Sequence, residues 1–214
     1  MANGFDKHKE YWVKKSGIPC AFLEWLPNPS KLQILDLGCG GGRIASSLIT
    51  EDNAVYGIDS SVELLERARN ACPKLMVFAG DFQNQAVWER IPPLDLIISN
   101  CAIRKDYCPQ ISNIMQFCHA KLKTGGLLLL RVEIVPDLSE VLPKSLRETL
   151  FYSNDCLTES LKIFSNVKVK QDSYRQKFSS AEYMKTFLER IQIDVEKINC
   201  LNPVRCYSVI CAKK

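Results

Sequence analysis

No run of this 214-residue chain stays apolar for the roughly 18 to 20 residues that a membrane span needs, which sets integral membrane proteins aside. Neither sign of charge prevails. The 28 Lys and Arg against 24 Asp and Glu leave a net +4, too little to define a nucleic-acid binder unless the basic residues cluster. There is no internal repeat, low-complexity tract or long Gly/Ser/Pro linker, so the length fits one well-cored domain over residues 1–214. Met1 to Gly17 holds no apolar segment of the kind a secretory signal requires, which points to a cytoplasmic protein. The ten cysteines include no Cys-x-x-Cys pair to clip a metal, and no metal site is expected. Cys39, Cys72, Cys101, Cys118 and Cys211 sit in or beside apolar runs, where they read as reduced thiols packed as small hydrophobes. With 46% hydrophobic and 24% charged residues, the composition excludes disorder and collagen.

The chain does show an alternation of strand-like and helix-like periods. Lys31 to Leu37 is an aliphatic run ending at a glycine cluster, Gly38 to Gly42, and Arg43 to Glu51 then reads as a helix. Ala54 to Ile58 is the next strand; Ser60 or Ser61 offers an N-cap for a helix over Val62 to Ala71, whose Val62, Leu65, Ala68 and Cys72 recur at helical spacing. Leu75 to Ala79 and Leu94 to Ser99 are strands three and four, with one short helix at most between them. Ile111 to Leu122 is helical and stops at Thr124-Gly125-Gly126, a glycine C-cap signal, before the strand Leu127 to Ile134. Further on, helices are expected around Lys144 to Phe164 and from Ala181 to about Ile191, with strands at Val167 to Tyr174 and Cys206 to Ala212.

Continuous apolar strands separated by helices define an α/β fold: a Rossmann-like, seven-stranded, mostly parallel sheet covered on both faces, with the last two strands forming an antiparallel edge. Such sheets bind ligands outside the carboxyl ends of their strands, so the residues ending strands one to four become the candidates. They are Asp36 to Gly42, then Asp59, Asp81 and Ser99-Asn100. A glycine loop between strand and helix brings backbone amides close to a ligand, a dinucleotide being the first possibility. Two details oppose it. Arg43 stands where the dinucleotide fingerprint has its third glycine or alanine, and Asp36 would face a pyrophosphate with like charge. A ligand bearing an amino group and a sulfonium turns that carboxylate into a favourable partner, and S-adenosyl-L-methionine is such a ligand. Asp59, about twenty residues past the loop, can accept both ribose hydroxyls, and Asp81 is placed to accept from an adenine amino group.

Ile34-Leu-Asp-Leu-Gly-Cys-Gly-Gly-Gly-Arg43, with Val55-Tyr-Gly-Ile-Asp-Ser60, Ala79-Gly-Asp-Phe82, Leu94-Asp-Leu-Ile-Ile-Ser-Asn100 and Leu122-Lys-Thr-Gly-Gly126, resembles the class I S-adenosylmethionine-dependent methyltransferases. The resemblance is strong over about Leu32 to Glu133 and topological beyond. It implies cofactor binding by Asp36, Gly38, Cys39 and Gly40, ribose at Asp59 with Ser60, adenine at Asp81 with Phe82, and the methionine end near Asn100. It further implies a lid of N-terminal helices over residues 1–30 carrying Tyr11, and an insertion at 133–165 near the acceptor site.

The methyl acceptor is the open part. Methyl transfer from a sulfonium is an in-line displacement that positioning alone can accelerate, so no catalytic base has to be assigned. The segment Ser99-Asn-Cys-Ala-Ile-Arg-Lys105 lacks the Asn-Pro-Pro-Tyr pattern that resembles amide or exocyclic-amine methylases. It is weakly similar to the trans-aconitate and juvenile-hormone-acid methyltransferase group, departing from it where Arg104-Lys105 replaces a tryptophan. Arg104 is the candidate for holding an anionic acceptor such as a carboxylate. A small-molecule acceptor leads, with no membrane partner; nucleic acid is not favoured. RNA or protein modification, and a cofactor-binding inactive partner subunit, are the alternatives. Lys162, Lys168, Lys170, Arg175 and Lys177 are the basic cluster an RNA enzyme would use. His119, on a helix with Lys121 and Lys123, reads as a packed or exposed histidine, not a base.

Overall fold

A computed structural model describes residues 17–134, 148, 151–175 and 204–214. The first strand, β1 (Gln33–Leu37), is a run of aliphatic residues buried on both faces, as a central parallel strand requires. It is followed by α1 (Arg43–Leu48), β2 (Ala54–Asp59), α2 (Val62–Ala71), β3 (Met76–Ala79), α3 (Gln85–Glu89), β4 (Leu94–Asn100), α4 (Ile111–Lys121), β5 (Leu122–Ile134), α5 (Asn154–Ser160), β6 (Ser165–Arg175) and β7 (Val204–Lys213). All seven strands join one sheet in the order β3-β2-β1-β4-β5-β7-β6, parallel except for β7, which runs against both neighbours. The mostly parallel fold and antiparallel end agree with the sequence pattern. The order reverses between β1 and β4, which opens a crevice above their carboxyl ends.

Two cores flank the sheet. One holds Leu35, Leu37, Ile97, Leu128 and Leu130 beneath α3, α4 and α5, closed by Trp88, Met115 and Tyr152. The other holds Ile34, Ile98, Leu129 and Val209 beneath α1, α2 and the segment carrying Phe22 and Leu26. Each fully buried Leu or Ile contributes about 1.5–3 kcal/mol, so the strand runs specify the sheet. Ser61 caps α2 by accepting the Leu64 amide at 3.3 Å; of the periodic apolar set, Leu65 and Ala68 are buried, whereas Val62 is exposed.

Some expectations shift. The helix expected to reach Glu51 ends at Leu48, because the Thr50 hydroxyl accepts the amides of Asp52 and Asn53 and turns the chain. Gly125-Gly126 is no helix cap: α4 stops at Lys121, β5 begins at once, and the glycine pair bends within it, exchanging backbone hydrogen bonds with Lys214. Within Lys144 to Phe164, the described helix is confined to Asn154–Ser160, and Tyr152 bridges to Ile134. The helix expected at 181–191, the lid before residue 17, and residues 135–147 and 149–150 of the 133–165 segment lie outside the described residues. No helix among the described residues is long and apolar enough to cross a membrane.

Candidate active site

Three strand ends are laced together by the backbone before any ligand is considered. The amides of Gly38 and Cys39 both donate to the Ile58 carbonyl, at 2.8 and 3.0 Å, and the Gly80 amide donates to the Asp59 carbonyl at 3.0 Å. Gly38 adopts φ +76°, and a Cβ there would lie 2.1 Å from that of Ala102. Only glycine lets the loop after β1 meet the loop after β4. The Ser99 hydroxyl completes the seam by donating to the Leu37 carbonyl at 2.8 Å.

Asp59 is the organising acid. One carboxylate oxygen accepts the Gly40 amide at 2.8 Å and the other the Ser61 amide at 2.9 Å. Each oxygen keeps a further lone pair for a ligand hydroxyl. Asp36 points elsewhere: it is buried beneath α1, where it accepts the Ala45 amide at 3.0 Å and substitutes for a side-chain cap, since Gly42 at the N-cap has none to offer. Burial pushes the Asp36 carboxyl up to about 7, against the opposing pull of the Ala45 amide and the Arg43 guanidinium. Cys39 is buried against Gly57, and burial together with Asp36 and Asp59 pushes its thiol up to about 12, leaving it a packing residue. Asp81 turns its carboxylate onto the Gln83 amide at 2.8 Å. The loop that holds it is anchored from below, because buried Trp88 donates its indole N–H to the Phe82 carbonyl at 2.7 Å.

These loops surround a cavity of about 430 Å³ lined by Gly38, Asp59, Ser60, Phe82, Asn100, Cys101, Ala102, Arg104, Asp106 and Tyr107. Of the residues named from sequence, Gly38, Asp59, Ser60, Phe82, Asn100 and Arg104 share this lining, Asp36 and Cys39 lie below it, and Gly40 and Asp81 brace its rim. Tyr11 lies outside the described residues. The expected open cation at Arg104 is an ion pair: Nε donates to Asp106 at 3.0 Å, and Nη2 meets its second oxygen. Residues 101–107 were missed in part. Cys101, in the left-handed region at φ +61°, turns the chain out of β4. Tyr107 sets its ring edge against Phe82 with centroids 6.1 Å apart. Its hydroxyl faces Asp81 and Ser60; burial and the Asp81 carboxylate raise the phenol above its usual range while Ser60 opposes them. Loops following a strand end carry no periodicity, and position after β4 was the only available signal. His119 packs edge-on against Phe164 at 5.3 Å, on α4.

A carboxylate with spare acceptor capacity, two aromatic rings and an amide side chain meet at the switch point of a doubly wound sheet, and these groups fit S-adenosyl-L-methionine. The methyltransferase-domain family matches residues 28–190. The trans-aconitate 2-methyltransferase of Azoarcus sp. is 29% identical over 112 residues, covering 51% of this chain and 42% of that one. Among solved structures, phosphoethanolamine N-methyltransferase 2 of Haemonchus contortus, in complex with phosphomonomethylethanolamine and S-adenosylhomocysteine, has a TM-score of 0.67 at 17% identity and covers 95% of this chain and 52% of its own. An S-adenosylmethionine-dependent methyltransferase of Mesorhizobium loti has a TM-score of 0.56 at 18% identity, covering 98% and 100%. The chain belongs to the methyltransferase-domain family. It spans less than half the length of the curated relative it matches.

Proposed function

We propose that this protein transfers a methyl group from S-adenosyl-L-methionine to a small molecule by in-line displacement, the acceptor being a carboxylate-bearing compound. The observation that carries the reading is the single cavity in which Gly38, Asp59, Ser60, Phe82 and Asn100 converge. The bound cofactor supplies an electrophilic methyl on a sulfonium. The chain supplies position: Asp59 and Ser60 hold the ribose hydroxyls, Phe82 with Asp81 receives the adenine, and Asn100 and the glycine loop take the amino-acid end. Asp36 acts through the loop by fixing the start of α1.

A carboxylate acceptor is supported by the likeness to an enzyme named for trans-aconitate. RNA is disfavoured by charge, because two members of the basic cluster are already answered: Lys162 by Glu159, and Lys170 by Glu24. The thiols of Cys39, Cys72, Cys101, Cys108, Cys118, Cys156 and Cys211, none of them in a disulfide, suit a reducing, cytoplasmic setting. Incubation with methyl-labelled cofactor and separate pools of small carboxylic acids, amines and bulk RNA tests the reading. Label entering the acids supports it; label confined to RNA rejects the small-molecule acceptor.

A further inference from the structure

We propose that Tyr107 holds the base of the nucleoside ligand, its ring forming with that of Phe82 an aromatic corner of the cavity; the assignment rests on the S-adenosyl-L-methionine reading above. Both side chains line the cavity. Their rings meet at 79° with centroids 6.1 Å apart, one plane standing nearly upright on the other. A planar heteroaromatic base entering that corner stacks on one ring while turning its edge to the other, the two arrangements that aromatic quadrupoles favour.

Exposure separates the two rings. Phe82 is buried in the core, whereas Tyr107 leaves 45% of its surface bare on the same cavity. A large ring kept bare at a cavity wall has surface to lend to a ligand. It is also held at both ends. At the backbone, the Arg104 carbonyl accepts the amides of Tyr107 and Cys108 at 3.1 and 2.6 Å, the Arg104 guanidinium pairs with Asp106, and buried Tyr152 donates its hydroxyl to the Cys108 carbonyl. At the far end the phenol faces Asp81 and Ser60, which act on it with opposite sign: burial and Asp81 raise it, and Ser60 lowers it. That is the pattern of a hydroxyl that donates to the carboxylate and accepts from the serine. A side chain rooted in the loop after β4 is thereby tied to the loops after β2 and β3. The ring consequently gives up little rotational freedom when a base settles against it.

The test is calorimetric titration of the full chain with S-adenosylhomocysteine and with 5′-methylthioadenosine, which carries the same base and ribose without the amino-acid end. Tyr107→Leu is expected to weaken both ligands by a similar factor, about 5- to 100-fold, the range for one lost base–aromatic contact. Tyr107→Phe, which keeps the ring and loses the tether, should weaken them by only about 2- to 10-fold. Melting temperatures should not move in either variant. A ring that served packing alone would lower the melting temperature and leave the affinities in place. Undiminished or tighter binding in Tyr107→Leu, a loss confined to S-adenosylhomocysteine, no binding of 5′-methylthioadenosine to the wild type, or equal losses in the two variants overturns the assignment. Should the leucine variant fail to fold, Tyr107→Phe still decides: an unchanged affinity, or a loss well beyond that range, overturns it. Failure of S-adenosylhomocysteine to bind the wild type is a separate result that removes the cofactor reading and this assignment together.

Discussion

The Asp59 carboxylate reaches back across nineteen positions to accept the Gly40 amide at 2.8 Å, tying the end of β2 to the glycine loop after β1. The same side chain proposed to take the ribose hydroxyls thus also shapes the glycine loop. Asp59→Ala should weaken cofactor binding by about 1.5–3 kcal/mol, the range for a hydrogen bond to a charged group, and also lower the melting temperature because two amides lose their acceptor. Asp59→Asn should keep more of the stability than of the affinity. Calorimetry beside thermal denaturation separates the two losses, and unchanged affinity in the alanine variant would remove Asp59 from the ribose site.

Gly38→Ala is expected to cost about 1–3 kcal/mol of stability from its left-handed backbone alone, and more from the Cβ set 2.1 Å from that of Ala102. Pairing it with Ala102→Gly relieves the clash but not the backbone strain, so the double variant should regain only part of the loss. Denaturant melts of the three variants check this; full recovery in the double variant would show that the left-handed conformation carries no cost.

Asp36 gives stability a pH dependence of defined sign. Its carboxyl sits at about 7 when folded, against an ordinary 3.8, so between those values the folded chain keeps a proton that the unfolded chain releases. Stability from this group is fully present below about pH 4, declines as the pH rises and levels off above about 7, for a total of roughly 4 kcal/mol at most. Asp36→Asn, which retains an acceptor for the Ala45 amide, should flatten that slope. Chemical denaturation from pH 4 to 8 measures it, and identical slopes in the two proteins would contradict the assignment.

Trp88→Phe should cost about 1 kcal/mol for the lost indole hydrogen bond to the Phe82 carbonyl and should loosen the Phe82 side of the cavity. A several-fold weaker cofactor affinity with a small drop in melting temperature is expected. A change in stability alone would show that the loop holds its place without Trp88.

The first four strands were legible because each is a continuous aliphatic run punctuated by Gly, Pro or Asp, and their ends located Gly38, Asp59, Ser60, Phe82, Asn100 and Arg104 beforehand. Direction was harder to read. Asp36 and Cys39 occupy the right stretch, yet one turns beneath α1 and the other into packing, because the left-handed turn at Gly38 redirects the loop and composition does not reveal that rotation. Gly125-Gly126 misled for a related reason: a glycine with positive φ serves a helix end and a bent strand equally well. Arg104 was found, but its partner two residues later was not, so a charge anticipated as open proved to be matched.

The placement of β7 between β5 and β6 bears on biosynthesis. Strands β1 to β5 can associate as they leave the ribosome, since each finds its parallel neighbours among strands made before β6. The β6 strand cannot, because its sheet partner is translated last. Until then a nascent chain carries an unpaired segment with Val167 and Val169 exposed, a ready template for pairing with other chains. A premature stop anywhere between residues 176 and 203 would make that passing exposure permanent, so truncated products should go to aggregates or proteases before they have any chance to bind cofactor.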